Sequence, residues 1–214
     1  MPGRLTSFVI GAVLVTALGA GLALYGTGSI GGNGGGGLGP CAGADAAIRR
    51  LAPLARGEVA AMQVLDAPKA APALTFKGAD GAEVSLADLK GRALLVNLWA
   101  TWCAPCKAEM PALDRLQGEL GGADFAVVAI NVDTRNLDRP AAWLKENGIA
   151  RLAYYADPGG RVLPAVQRDT GSTGLPTTLL IDAKGCEIGV MKGPAEWSSE
   201  DARRLIRGAL GPSS

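Results

Sequence analysis

Ala93-Leu94-Leu95-Val96-Asn97-Leu98-Trp99 is apolar at every position but one. That is the pattern of a strand covered on both faces of a parallel sheet, not of a half-exposed one. Beyond it Met110, Leu113 and Leu116 recur at helical spacing, and Phe125–Val132 returns to an apolar run. Strand, helix and strand then form a β-α-β unit, which is right-handed. Shorter patterns fill the remainder. Leu74–Phe76 and Glu83–Leu86 flank Gly78-Ala79-Asp80-Gly81 and predict a hairpin. Ser85 precedes a helical turn over Leu86–Lys90. Arg139–Asn147 predicts a helix closed by Gly148, Tyr154–Asp157 a short strand, and Gly160–Arg168 a further helix. A strand following Pro176 and a strand over Glu187–Met191 pair antiparallel across Ala183-Lys184-Gly185. Ser198-Ser199-Glu200-Asp201 opens the last helix with a capping residue and acids, and Arg203, Arg204 and Arg207 follow toward its other end. Ala44–Leu65 is Ala-rich and reads as one or two helical pieces interrupted at Pro53. Trp143, Met191 and Trp197 are read as packing residues.

The first part of the chain has a different character. No charged residue occurs from Leu5 to Ala44, and Leu5–Tyr25 supplies 21 mostly apolar positions, about the ~20 that span a bilayer as a helix. Arg4 lies on one side of this run and Arg49 is the first basic residue on the other, which leaves the N-terminus cytoplasmic and the following domain outside. The run is long for a signal peptide, which favours retention as an anchor over cleavage. The expected organisation is a signal-anchor helix over residues 1–27, a glycine-rich linker over 28–44 and one globular domain over 45–214. Gly26-Thr27-Gly28-Ser29-Ile30-Gly31 fits G-x-G-x-x-G, but it follows an apolar span and not a strand, so no nucleotide site is read there. Net charge is +1 with no histidine, which points to no nucleic-acid partner.

Chemistry concentrates where the buried strand meets the helix, at Trp102-Cys103-Ala104-Pro105-Cys106. Unpartnered N–H groups of a helix's first turn carry partial positive charge, favour a thiolate and lower the thiol pKa. Cys103 is the expected exposed nucleophile. Cys106, one turn further on, is the expected buried thiol that resolves a mixed disulfide within the same molecule. Half of a zinc site is the competing reading, weakened by the absence of histidine and of a second C-x-x-C around Cys41 or Cys186. No metal and no cofactor beyond the redox-active Cys103–Cys106 pair is expected.

With these residues the chain resembles the thioredoxin superfamily. Gly174-Leu175-Pro176-Thr177-Thr178-Leu179-Leu180-Ile181-Asp182 is similar to that family's cis-proline strand, with Pro176 the candidate cis residue and Leu175 and Trp102 candidate substrate contacts. Pro111 matches the proline that kinks the family's active-site helix. More closely, the stretch from about Cys41 onward resembles the TlpA type, membrane-anchored periplasmic thioredoxin-like proteins. That likeness rests on Leu94–Cys103 and on Gly193-Pro194-Ala195-Glu196-Trp197. It implies an α/β thioredoxin-like fold, a central mixed sheet flanked by helices, with an N-terminal extension and a single N-terminal transmembrane helix. Asn97 departs from the pattern, standing six residues before Cys103 where many thioredoxins carry a buried Asp. Glu109 matches an acidic residue of the cytochrome-maturation branch, where a carboxylate can relay protons and raise thiol pKa values. A surface glutamate in the helix's first two turns is the other reading.

The resemblance further implies a location in the inner membrane with the catalytic domain in the periplasm. It implies a thiol:disulfide oxidoreductase whose clients are exported proteins of cytochrome or copper-site assembly, with electrons from a transmembrane thiol donor; a monomer is the default expectation. A disulfide-forming oxidant and a Cu(I)-binding module are the alternatives. In an oxidising compartment Cys41 and Cys186 are expected to form a structural disulfide, two unpaired thiols being the other possibility.

Overall fold

A computed structural model describes residues 41–211. In chain order they form α1 (Asp45–Leu51), β1 (Met62–Ala70), β2 (Thr75–Lys77), β3 (Glu83–Ser85), β4 (Ala93–Trp99), α2 (Ala104–Leu120), β5 (Phe125–Asn131), α3 (Arg139–Glu146), β6 (Tyr155–Ala156), α4 (Val162–Thr170), β7 (Thr177–Ile181), β8 (Cys186–Lys192) and α5 (Glu200–Leu210). The eight strands make one mixed sheet in the order β1-β8-β7-β4-β5-β6-β2-β3. β4 sits inside it, parallel to β5 and antiparallel to β7. All seven residues of β4 and all seven of β5 are buried, as continuous apolar runs require when both sheet faces are covered. This is the α/β thioredoxin-like architecture.

The hairpin stands where the pattern predicts it, with Phe76 opposite Val84. Ser85 caps the turn over Leu86–Leu89 in a reciprocal pair with Asp88. Ser199 caps α5 by accepting from the Ala202 N–H at 3.1 Å. α4 begins later than the expected Gly160, at Val162, because the Asp157 carboxylate accepts from the Val162 N–H at 2.6 Å and fixes the helix start there.

The largest departure lies before the hairpin. Of the helical reading over Ala44–Leu65 only Asp45–Leu51 is α-helix; two short 3-10 turns follow, and Met62–Ala70 is a strand. β1 pairs with β8 alone, on the sheet's outer edge, with a register break between Val64 and Lys69. An edge position tolerates Pro68, which lacks an N–H, and the charged Asp66 and Lys69. Pairing with a strand more than a hundred residues away overrides local propensity.

The expected anchor over 1–27 lies outside the described residues, as does the linker as far as residue 40. No helix among the described residues is long and apolar enough to cross a membrane. Of the expected linker, Cys41–Ala44 is described, and it is not linker in character: Cys41 and Ala44 are both buried. A disulfide joins Cys41 to Cys186, the first residue of β8, with a Cα–Cα distance of 5.6 Å. It ties the start of the described chain to an inner strand of the sheet.

Candidate active site

α2 begins directly after the C-terminal end of β4, so the loop Ala100–Cys103 must turn the chain out of the sheet. Its anchor is Asp133, just past β5, whose Oδ2 accepts from the Thr101 N–H and the Asn131 Nδ2, both at 2.9 Å. The Val132 N–H donates to the Trp99 carbonyl at 2.9 Å. These bonds hold the cysteine loop against the neighbouring parallel strand. Nothing in the sequence pattern marks Asp133, which follows Asn131 and Val132 at the end of an apolar run, for this role.

Cys103 is the N-cap of α2, and the Cys106 N–H points at its sulfur at 3.2 Å. Ala104 and Pro105 occupy the first two helical positions, where proline's missing N–H costs nothing. Cys103 and Cys106 are joined, with a Cα–Cα distance of 5.3 Å. The nucleophile expected to be exposed is itself buried in this disulfide form: Cys103 is 5 % accessible against 0 % for Cys106. The Cys103 sulfur is bonded to Cys106 Sγ and capped by the helix, which leaves solvent little of it. Trp102 beside it is 68 % exposed and presents the large apolar surface at the site's mouth.

The Leu175–Pro176 peptide is cis. Register places it: Leu98 is opposite Thr177, so Pro176 and Leu175 continue alongside the end of β4, from which the cysteine loop departs. Pro176 is buried and its carbonyl accepts from the Gly193 N–H at 3.0 Å, whereas Leu175 is half-buried. A cleft of about 240 Å³ flanks this turn, lined by Ser172, Thr173, Gly174, Leu175, Pro176 and Lys192 among others. A second, more apolar cavity of about 230 Å³ lies at the opposite end of β4, beside Leu94 and Ile181, away from the cysteines.

Glu109 is not a surface residue. It lies one helical turn beyond Cys106, on the same face of α2, and is 3 % exposed. Oε1 accepts from Asn97 Nδ2 at 2.8 Å. Oε2 accepts from the Ala195 N–H at 3.1 Å and from Trp197 Nε1 at 3.0 Å. Burial pushes the carboxyl up to about 7, and the three donors from Asn97, Ala195 and Trp197 hold it from going higher. A carboxylic acid poised there exchanges its proton near neutral pH. Trp197 therefore does more than pack, and its indole N–H is the signal that a packing reading overlooks. Asn97, wholly buried, also donates to Thr178 Oγ1 at 2.9 Å.

Among the described residues no group of three or more His, Cys, Asp or Glu side chains is placed to hold a metal ion. What the arrangement offers is two sulfurs that interconvert between disulfide and dithiol, with a buried carboxyl one helical turn beyond the inner one.

A sequence model of the AhpC/TSA family matches residues 68–186. The thioredoxin-like protein YneN of Bacillus subtilis is 34% identical over 121 residues, which cover 54% of this chain and 65% of that protein. The thiol-disulfide oxidoreductase ResA of Bacillus subtilis is 30% identical over 138 residues, 64% of this chain and 74% of that one. Among solved structures, a thiol:disulfide interchange protein of the thioredoxin family from Chlorobium tepidum superposes with a TM-score of 0.56 at 35% identity. It covers 69% of this chain and 100% of its own.

Proposed function

Because this chain belongs to the AhpC/TSA family of thioredoxin-like thiol–disulfide oxidoreductases, we propose that it is a TlpA-type, membrane-tethered reductase of exported proteins. It acts as a monomer on the periplasmic face. Its clients belong to respiratory cytochrome and copper-site assembly, and its electrons come from a transmembrane thiol donor. The apolar run over Leu5–Tyr25 supports the tether, and the motifs around Cys103 and Trp197 support the family branch.

The chemistry follows from the two sulfurs. The Cys103 thiolate attacks one sulfur of a client disulfide; the client S–S bond breaks, an S–S bond to Cys103 forms, and the second client sulfur leaves as a thiolate that takes up a proton. Cys106 then gives its proton to Glu109 and attacks the Cys103 sulfur. The mixed disulfide breaks, the client leaves as a dithiol, and Cys103–Cys106 is again a disulfide. The client has gained two electrons, and a donor dithiol must return two to the pair.

The observation that carries the reductive direction is the buried Glu109, one helical turn beyond Cys106 on α2. A carboxyl there disfavours a stabilised thiolate pair, and a strong oxidant is one whose reduced, thiolate form is stabilised. Disulfide formation is the second reading, favoured by the Cys106 N–H directed at Cys103 Sγ. Capture tests the proposal. Full-length Cys106→Ser chain in its native membrane should hold exported proteins on Cys103 as mixed disulfides that dithiothreitol releases. Absence of any such adduct contradicts the proposal.

A further inference from the structure

Asn97 is completely buried, yet its Oδ1 has no hydrogen-bond partner among the described residues, while its Nδ2 makes two bonds, to Glu109 Oε1 at 2.8 Å and to Thr178 Oγ1 at 2.9 Å. A buried amide oxygen left without a donor costs about 1–3 kcal/mol, and among the described protein groups none supplies one in the disulfide state. The register neighbours of Asn97 are Ala129 on β5 and Thr178 on β7, neither of which is charged. The buried titratable groups of α2 are Cys106, Glu109 and Asp114, and the Asp114 carboxylate is taken up by the N–H groups of Ala150, Arg151 and Leu152 and by the Arg151 guanidinium. Cys106 acquires an S–H only when the disulfide is reduced.

We propose that Asn97 is a positioning residue that couples the proton of Cys106 to Glu109 by reversing its amide. The inference rests on the reading that Glu109 receives that proton. In the newly reduced state the Cys106 S–H donates to Asn97 Oδ1, and Nδ2 donates to the Glu109 carboxylate. The proton then moves: the S–H bond at Cys106 breaks, an O–H bond forms at Glu109, and no electrons change hands. After a half-turn of the amide, the Glu109 O–H donates to Oδ1 and Nδ2 donates to the Cys106 thiolate. Thr178 suits both states, because its hydroxyl accepts from Nδ2 in the first and donates to Oδ1 in the second. Each arrangement gives Oδ1 a donor, and the second presents a thiolate ready to attack Cys103. An aspartate at position 97 could not serve in this way, having no N–H to offer the thiolate.

The test uses the full chain with Cys103→Ser, in which Cys106 is left without its disulfide partner and Cys41–Cys186 is kept. Thiolate absorbance follows Cys106 across the pH range while nuclear magnetic resonance follows the side-chain amide of Asn97, assigned by its loss in Asn97→Leu. The amide resonances should shift with the same midpoint as the thiolate. Asn97→Leu should raise that midpoint, the acid constant falling about threefold to tenfold, because a bond to a charged sulfur is worth more than one to a neutral thiol. An amide that stays flat through the thiolate midpoint overturns the switch, and so does an unchanged midpoint in a folded Asn97→Leu protein. If the leucine variant does not fold, Asn97→Asp assigns the resonances and the amide measurement decides alone. Either negative result leaves the reductase reading intact, since mixed-disulfide capture tests that separately.

Discussion

Trp197 Nε1 donates to Glu109 Oε2 at 3.0 Å, joining residues 88 positions apart in the chain. The indole belongs to the segment leading into α5 and the carboxyl to the active-site helix, so the last part of the domain reaches back to tune the first turns of α2. Replacing Trp197 with Phe keeps most of the apolar volume and removes this donor. Because the donor lowers the Glu109 pKa, its loss should move the carboxyl's titration upward. It should also cost about 1 kcal/mol of stability. Carboxyl titration followed by infrared spectroscopy, together with urea unfolding, checks both. An unmoved titration would separate Trp197 from the site.

Glu109→Gln removes the ionisation altogether. The wild-type rate of thiol–disulfide exchange should show an inflection at about pH 7, and the Gln variant should lose it and run slower by ~10²-fold, the range typical of a lost acid–base group. Stopped-flow exchange with a small disulfide across the pH range gives the comparison. Stability should respond in the opposite sense. The folded-state pKa lies above the ordinary glutamate value, so Glu109 contributes stability that is fully present below the unfolded pKa and is lost as pH rises through about 7. The Gln variant should therefore unfold at higher urea than wild type on the alkaline side, by as much as ~3 kcal/mol.

Glu187 provides a second pH effect away from the cysteines. It is wholly buried on β8, its oxygens make no hydrogen bond among the described residues, and Lys69 Nζ approaches at 3.5 Å while binding Asp169 at 2.6 Å. Burial, with Asp169 beside it, pushes the carboxyl well above the usual range. A raised acid loses its stabilising share as pH rises through the folded value, so Glu187→Gln should flatten the alkaline fall in stability and leave exchange kinetics unchanged. Thermal unfolding between about pH 5 and 9 decides this.

The Cys41–Cys186 bridge closes a separation of 145 residues, for which the chain-entropy account gives about 5 kcal/mol as an upper figure. The Cys41→Ser/Cys186→Ser double variant should unfold at markedly lower denaturant, with a larger m because the unfolded chain expands, and should keep Cys103–Cys106 exchange. Loss of exchange in a folded double variant would give the bridge a role beyond stability.

The sequence made the interior of this protein more legible than its edge. β4, α2 and β5 are written in continuous apolar runs and helical spacing, because both sheet faces are covered and little but burial decides them. β1 is not, since its identity depends on pairing with β8 and its own residues include Asp66, Pro68 and Lys69. The site divides the same way. The cysteines and Pro176 are carried by local motifs. The depth of Glu109 depends on Asn97, Ala195 and Trp197 closing over it from three other segments, and no local pattern records that.

The most direct test of the reductive assignment is the reduction potential of the Cys103–Cys106 pair, measured by equilibrating the protein with glutathione of known poise. A value near that of thioredoxin, about −270 mV, is the expected result and fits a pair that a membrane donor keeps as a dithiol. A value near about −120 mV would contradict the account and make this protein a source of disulfides.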